Sequence, residues 1–339
     1  MQIHNNTSLK PFNTFGIEAF SKLFASFSST DELGEILASK QAKSNKLLPL
    51  GGGSNLLLTQ NFDGLTLKNE IKGINLIKED EHHYYIEVGA GENWHQFVLK
   101  SLSNNWFGAE NLSLIPGSVG ASPMQNIGAY GIELKEVFWF VEAMEIATQK
   151  IHRFEKSDCE FGYRTSIFKT KIKGETIIAK VGFKLNKKAN LNTSYGAIQQ
   201  ELETLGIANP TPKDVSRAVI NIRSSKLPNP AEIGNAGSFF KNPVVSKSVY
   251  EEILKAYPSA PSYPVSETEV KVPAGWLIET AGWKGKTIDN RFGVHKKQAL
   301  VLVNYKGATG KEIYGLSENI LTDIKAKFGV ELEREVNII

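Results

Sequence analysis

The sequence predicts an α+β chain of two or three domains, and three observations carry that reading. A length of 339 residues is too great for one ordinary hydrophobic core. Hydrophobic residues at 41% and charged residues at 22% give the balance of a globular chain, not of a disordered or fibrous one. Segments with helical period and capping signals also alternate with β-branched and aromatic stretches of partial period two, so neither class dominates.

In chain order, Ser29-Thr30-Asp31-Glu32 reads as a capping box opening a helix toward Ala42, and Leu47-Leu48-Pro49-Leu50 as a short buried strand. After a glycine-rich turn, Tyr84 to Val88 suits a strand, while Trp94, Phe97, Val98, Ser101 and Leu102 recur at helical spacing. Val137 to Ile146 and Thr176 to Leu185 favour strands. Thr211-Pro212-Lys213-Asp214 supplies an N-cap, a proline at the first helical position and an acidic first turn, with Val215, Val219 and Ile222 on one face. Leu227-Pro228-Asn229-Pro230 and the stretch from Pro258 to Pro264 break regular structure. Thr309-Gly310-Lys311-Glu312 is a second capping box. The stripe Ile313, Leu316, Ile320, Leu321, Ile324, Phe328 comes after it, Gly329 ends that helix, and a strand from Val330 to Asn337 is expected last. No internal repeat is evident.

A net charge of +3 from 39 basic and 36 acidic residues is too small and dispersed for a nucleic-acid partner. The N-terminus has neither the basic start nor the apolar run of a secretory signal, and no segment is apolar for long enough to span a bilayer, so a cytoplasmic protein is expected. The single cysteine, Cys159, cannot form an intrachain disulfide, which fits a reducing compartment. Six histidines without ligand spacing predict no metal site, and His295 reads as structural or peripheral.

Two loops suit a bulky anionic ligand. Gly51-Gly52-Gly53-Ser54-Asn55 comes directly after an apolar strand, so successive N–H groups can face a phosphate; a plain tight turn is the other reading. Residues 115 to 131 form a long, nearly uncharged, small-residue loop between apolar segments, which suits wrapping a ligand through main-chain contacts. The embedded Val119, Met124 and Ile127 weigh against a flexible surface loop. Two lookalikes are set aside. Gly89-Ala90-Gly91-Glu92-Asn93-Trp94 has Trp94 at the third glycine of a dinucleotide fingerprint, and Thr280 stands where the first glycine of a P-loop belongs before Gly285-Lys286-Thr287.

Together the two loops resemble the FAD-binding domain of vanillyl-alcohol-oxidase-like (PCMH-type) flavoproteins. Three further segments narrow this: Phe161-Gly162-Tyr163-Arg164-Thr165-Ser166-Ile167-Phe168-Lys169, the run from Gly234 to Pro243 that contains Gly237-Ser238-Phe239-Phe240-Lys241-Asn242, and Leu332-Glu333-Arg334-Glu335-Val336. They are similar, in the same order, to the signatures of the UDP-N-acetylenolpyruvoylglucosamine reductase family. The likeness runs from Asn13-Thr14-Phe15-Gly16 to Val336, and the segment around Tyr195-Gly196 resembles the family's type I subgroup, in which a tyrosine loop covers the substrate.

The resemblance implies a two-part FAD-binding domain over residues 1–210, split near 65–70, a substrate-binding α+β domain over 211–318, and a terminal helix and strand, 319–339, returning to the site. It implies noncovalent FAD, NADPH as hydride donor and UDP-N-acetylglucosamine enolpyruvate as substrate; a monomer is expected. FAD is expected on Gly51, Gly52, Gly53, Ser54 and Asn55, and on Pro116, Gly117, Ser118, Gly120, Ala121, Ser122, Asn126, Gly128, Ala129 and Tyr130. Tyr163, Tyr195, Lys226 and Asn242 are expected on the substrate; Thr280 stands where a glutamine-like contact is expected.

The implied reaction passes hydride from flavin N5 to the terminal carbon of an enolpyruvyl ether, leaving negative charge delocalised into the substrate carboxylate. Arg164 suits that carboxylate because a guanidinium stays charged and binds it in a bidentate way. Glu335 helps only if protonated, and Ser238 is the expected proton donor to the carbanionic carbon. Taken singly, an arginine, a serine and a glutamate in such settings usually serve ion pairs, turns and solvation. Their coincidence within three matching segments carries the reading. The alternatives are a flavin oxidase of the same fold and a UDP-sugar-binding protein without chemistry.

Overall fold

Capping residues start the helices where the sequence places them. Ser29 Oγ accepts the Glu32 N–H at 3.1 Å and opens the helix Thr30–Ala38. The Glu32 carboxylate reaches past Ser29 to accept from the N–H and hydroxyl of Ser28, so the box is not closed on one residue. This helix stops short of Ala42. Ser39 donates its hydroxyl to Ile36 O at 2.6 Å and accepts from Ala42 N at 3.2 Å, which ends one helix and caps a separate turn, Lys40–Lys43. Thr211 and Asp214 exchange main-chain and side-chain bonds at the head of Pro212–Lys226.

Thr309 and Glu312 form a reciprocal box on the helix Gly310–Phe328, and Gly329 closes it at a left-handed φ of 67°. The Thr309 N–H, and then Arg291, hold the Glu312 carboxyl down at about 2. A folded-state value below the unfolded one means that this contribution is complete above about pH 4.5 and is lost as the pH falls toward about 2. Urea midpoints measured across that window should therefore fall less steeply for Glu312→Gln than for the parent. Equal slopes would show that the box does not couple to acid unfolding.

In the computed structural model, which describes residues 2–339, the chain forms two compact units. One comprises residues up to Thr7, Ser21–Gly52 and Asp63–Ser225; the other comprises Ser8–Phe20, Gly53–Phe62 and Lys226–Ile339.

The first unit holds a two-stranded sheet, Gly128–Ala129 with Ile132–Glu133, and two larger sheets. One has four strands in the order His4–Ser8, Phe20–Phe27, Phe62–Asn69, Lys46–Leu50, the last two parallel. The other is antiparallel, in the order Ile151–Glu155, Phe138–Glu145, Thr176–Asn186, His83–Gly89, Ile74–Glu79. Alternation along Thr176–Asn186, shifted by one residue at the register irregularity where Ala143 pairs with Ile178 and Glu142 with Lys180, buries both faces of this second sheet. Ile177 and Ala179 join Phe27, Leu33, Ile36, Leu65 and Leu67, while Ile178, Val181, Phe183 and Leu185 join Trp94, Phe97 and Val98 of the helix Trp94–Ser103. A smaller core couples the helices Gly196–Thr204 and Pro212–Lys226 through Ile198, Leu202, Val215, Val219 and Ile222. The chain passes to the second unit after Ser225, fifteen residues beyond the expected boundary at 210, because this helix pair shares one core.

Cys159 is wholly buried in the larger core. Burial, helped by Asp158 and Glu155, pushes its thiol up to about 12. Maleimide labelling at pH 8 should be slow in the folded protein and rapid in urea; fast native labelling would contradict that environment.

In the second unit, Gly234–Ser238 pairs with Val301–Asn304, which pairs with Phe292–Val294 and then Thr287–Ile288. A three-stranded sheet, Val244–Ser246, Glu269–Lys271, Tyr263–Pro264, lies in the same unit. The terminal strand is shorter than expected. Only Asn337–Ile338 is regular, parallel to Leu56–Leu57, and residues 330–336 are irregular apart from a bridge between Arg334 and Phe240. Arg334 donates to Ser317 Oγ at 2.8 Å, pairs with Glu318 and lies over the Tyr314 ring, so a side chain ties this segment to the Gly310–Phe328 helix.

Candidate active site

The strand Lys46–Leu50 delivers the chain into the first glycine loop. A Cβ on Gly51 would lie 2.3 Å from Ser118 Oγ, and one on Gly52 would lie 2.7 Å from Gly117 Cα. The two loops expected to hold the cofactor thus meet backbone to backbone, an approach that only glycine permits. Among the described residues, the N–H groups of Gly52, Gly117 and Ser118 donate to no acceptor within the protein. A cluster of undonated main-chain N–H groups on a glycine cradle suits a diphosphate. Gly53, at a φ of 63°, starts the next segment, and its carbonyl accepts the Thr14 N–H at 3.0 Å.

The segment that imitates a dinucleotide fingerprint is a support for the second loop. Trp94 N donates to Gly117 O at 3.0 Å, Val119 N to Glu92 O at 2.8 Å and Gly120 N to Ala90 O at 2.9 Å. Its glycines serve close packing: a Cβ on Gly89 would lie 2.4 Å from Ile71 O, and one on Gly91 would lie 2.7 Å from Glu70 C.

Further along, Ser122 and Asn126 are buried, and their side chains bond the protein itself. Ser122 Oγ donates to Val119 O at 2.7 Å; Asn126 Nδ2 donates to Glu133 Oε2 at 3.0 Å and to Gly162 O at 3.1 Å. Asn126 thereby ties the loop to the turn that carries Arg164. Arg164 has a φ of 55°, lies over the Tyr163 ring and donates from Nη2 to Gly128 O at 2.7 Å. Pro116 and Ala121 are exposed, and Ala129 lies in a short strand pair with Ile132. Tyr130 meets Tyr195 edge to face at 5.3 Å, and Tyr195, 49% exposed, heads the helix Gly196–Thr204.

Sequence reasoning missed two residues here. Arg223 hydrogen-bonds the Tyr130 side chain and lies within electrostatic reach of Arg164, while burial holds its guanidinium below the ordinary value. His95 Nδ1 accepts the Leu114 N–H at 3.0 Å. Both lie at positions where one face of a helix is otherwise apolar, a signal too weak to single them out.

In the second unit, Ser238 lies directly after a β-bulge. Register shifts between Asn235 and Ser238, and Gly237 takes a φ of 70° with its N–H on Asn235 Oδ1 at 2.9 Å. Such a bulge re-aims the next side chain. The buried Phe239 and Phe240 anchor the chain beyond Ser238, and Phe239 N donates to Leu300 O at 2.7 Å. The C-terminal segment runs alongside: Lys241 N donates to Glu333 O at 2.9 Å and Glu335 N to Phe239 O at 2.8 Å. The structure therefore sets Glu335 across from the neighbour of Ser238. Asn55 joins them, its Nδ2 on Glu335 O at 3.4 Å and its carbonyl accepting from Asn337 N at 3.1 Å.

The remaining expected residues of this unit are more dispersed. Lys226 is exposed at the end of its helix. Asn242 Oδ1 accepts the Ala274 N–H at 2.9 Å at the head of the helix Ala274–Thr280, and Thr280 O accepts from Lys327 Nζ at 3.0 Å. His295 is buried, with Nδ1 lacking a partner, and burial followed by Lys297 and Lys296 lowers its pKa. Ser54 adjoins Asn55 and is half-buried.

Comparison with known proteins fits this geometry. A family described as "FAD binding domain" matches residues 21–153, and one described as "UDP-N-acetylenolpyruvoylglucosamine reductase, C-terminal domain" matches residues 229–339. A UDP-N-acetylenolpyruvoylglucosamine reductase of Flavobacterium johnsoniae is 53% identical over 100% of both chains. Its namesake from Pseudomonas savastanoi is 49% identical over 100% of this chain and 99% of its own. The crystal structure of the enzyme of that name from Thermus caldophilus, only 20% identical, superposes with a TM-score of 0.68 over 100% of this chain and 99% of its own, which supports the fold. With full-length relatives this close and both family domains in order, the chain belongs to the UDP-N-acetylenolpyruvoylglucosamine reductase family.

Proposed function

We propose that this chain reduces the enolpyruvyl ether of UDP-N-acetylglucosamine to UDP-N-acetylmuramate, using NADPH and noncovalently bound FAD, in synthesis of the bacterial wall precursor. One observation supports the residue roles most directly. The main chain of Glu335 is hydrogen-bonded both to Phe239, next to Ser238, and to Asn55 of the first glycine loop.

FAD supplies hydride transfer between nicotinamide and substrate when bound, and the open N–H groups of Gly52, Gly117 and Ser118 fit its diphosphate. The protein's own residues do the rest. Arg164, held at Gly128 O, receives the substrate carboxylate and stabilises the negative charge that reduction spreads into it. Ser238 donates its hydroxyl proton to the carbon next to that carboxylate, and Glu335 shares the developing charge only when its carboxyl carries a proton. Lys226 offers an exposed point charge to the UDP phosphates, and Asn242 keeps its amide Nδ2 for the substrate while Oδ1 caps a helix. Tyr163 and Tyr195, both substantially exposed, suit the sugar and the covering of the UDP group.

The same reading has FAD gripped mainly by residues 1–210, the UDP-sugar by 211–318, and Glu335 supplied by 319–339. It makes the protein a cytoplasmic monomer. No helix among the described residues is long and apolar enough to cross a membrane, and none of their side chains cluster as a metal site.

Anaerobic mixing tests the function. NADPH should bleach the flavin absorbance, and the enolpyruvyl substrate should then restore it with formation of UDP-N-acetylmuramate. Bleaching by a sugar alcohol with recovery only in O₂ would make the protein an oxidase, and a colourless protein that binds UDP-sugars would make it a binding module.

A further inference from the structure

The loop proposed to carry the flavin is entered through Leu114, whose φ of 59° puts a branched side chain in the left-handed region. A residue persists there only when its surroundings hold it. Both main-chain polar groups of Leu114 are held, each by a side chain from a different helix. His95, on Trp94–Ser103, accepts the N–H at Nδ1 over 3.0 Å; Arg223, on Pro212–Lys226, donates from Nε to the carbonyl over 3.2 Å.

The bonds on either side are of another kind. Trp94 Nε1 donates to Leu112 O at 2.8 Å, Ser113 Oγ meets Ser216 Oγ at 2.8 Å, and Gly117, Val119 and Gly120 are tied to residues 90–94 through main-chain bonds. None of those depends on pH. The His95 bond does, because an imidazole nitrogen accepts a hydrogen bond only while it carries no proton.

We propose that His95 and Arg223 are positioning residues that clamp Leu114 and so set the course of the flavin loop, and that a proton on His95 Nδ1 opens the clamp and weakens the hold on flavin. The flavin part of this rests on the assignment of residues 116–130 to FAD.

The charged and titratable groups around the clamp are few. Arg223 faces His95 from its helix, with Tyr130 and Arg164 beyond it on their loops. Glu110, in the turn before Leu114, is buried and holds the Gly108 N–H at 2.7 Å. Burial first, and the Arg223 charge second, keep His95 neutral at ordinary pH. The clamp is therefore closed near neutrality and opens on acidification.

The test uses the flavin-loaded protein between pH 7 and pH 5, tracking flavin release by fluorescence, the Leu114 amide by hydrogen exchange, and the His95 ring by NMR. In the parent, release and exchange should both quicken with the midpoint of the His95 titration. Separate midpoints would overturn the proposal without any variant. His95→Asn offers an amide oxygen close to the position of Nδ1 but does not titrate, so its release should stay flat with pH. His95→Leu should release flavin roughly 2-fold to 10-fold faster at every pH, the factor for losing one ordinary hydrogen bond.

If His95→Asn keeps the parent's pH profile, the role of His95 is structural only and the proposal fails. If His95→Leu leaves Leu114 exchange unchanged, the clamp fails while the flavin assignment stands. If Leu114 exchange quickens but flavin release does not, the coupling fails and the clamp is structural only, while the assignment of this loop to FAD stands.

Discussion

Ser238→Ala should leave flavin reduction by NADPH near the parent rate and slow reoxidation by the enolpyruvyl substrate by ~10²-fold to 10⁴-fold, the range for loss of a positioned proton donor. The location of Ser238 supports a separation of the two half-reactions. It comes just after a bulge at Gly237, and the ladder bonds beside it belong to Phe239, so removing one hydroxyl leaves the strand intact. Cysteine, a stronger acid of similar size, should recover part of the lost rate. Stopped-flow absorbance of each half-reaction, taken separately, makes the measurement. If both half-reactions slow equally, Ser238 positions the cofactor, and water or Glu335 must provide the proton.

The second large effect is on flavin content. Gly52→Val sets a branched side chain where even a Cβ lies 2.7 Å from Gly117 Cα, 3.0 Å from Gly117 C and 3.1 Å from Ser118 N. Backbone cannot yield there as a flexible side chain would, because Gly117 O is bonded to Trp94 N and the next ladder bond joins Val119 to Glu92. The two loops must separate, and the N–H groups proposed to meet one diphosphate lose their common target. Loss of two hydrogen bonds to a charged group, at about 1.5–3 kcal/mol each, weakens FAD binding by roughly 10²-fold or more. The variant should purify nearly colourless while keeping its far-ultraviolet circular dichroism. Full flavin occupancy in Gly52→Val would remove the first loop from the cofactor site.

Much of the local structure was legible because its causes are local. The caps at Ser29, Thr211 and Thr309, and the left-handed stop at Gly329, act within one turn of chain, so composition and spacing reveal them. Two elements depart from that local reading. Ser39 divided an expected helix by bonding on both sides of itself. Arg334 met Ser317, Glu318 and Tyr314 of the C-terminal helix, and the expected strand from Val330 shrank to Asn337–Ile338.

The candidate site was legible as a set of segments but not as an arrangement. The sequence by itself determined the glycines where backbones must touch, and it singled out Arg164, Ser238 and Glu335 as candidates within three separate segments. Only the tertiary structure decided that residues 8–20 and 53–62 fold with the C-terminal unit. There Thr14 bonds both Gly53 O and Asn235 O, and Asn55 reaches the main chain of Glu335, 280 residues away. Only the structure, too, showed Glu92-Asn93-Trp94 to be a support for the second loop, and Leu114 to be held from two helices. Caps and periodicity depend on neighbours three or four residues apart. These pairings depend on chain closure over distances at which local propensity carries no information, so they are decided by which buried main-chain groups must find partners once the cores have formed.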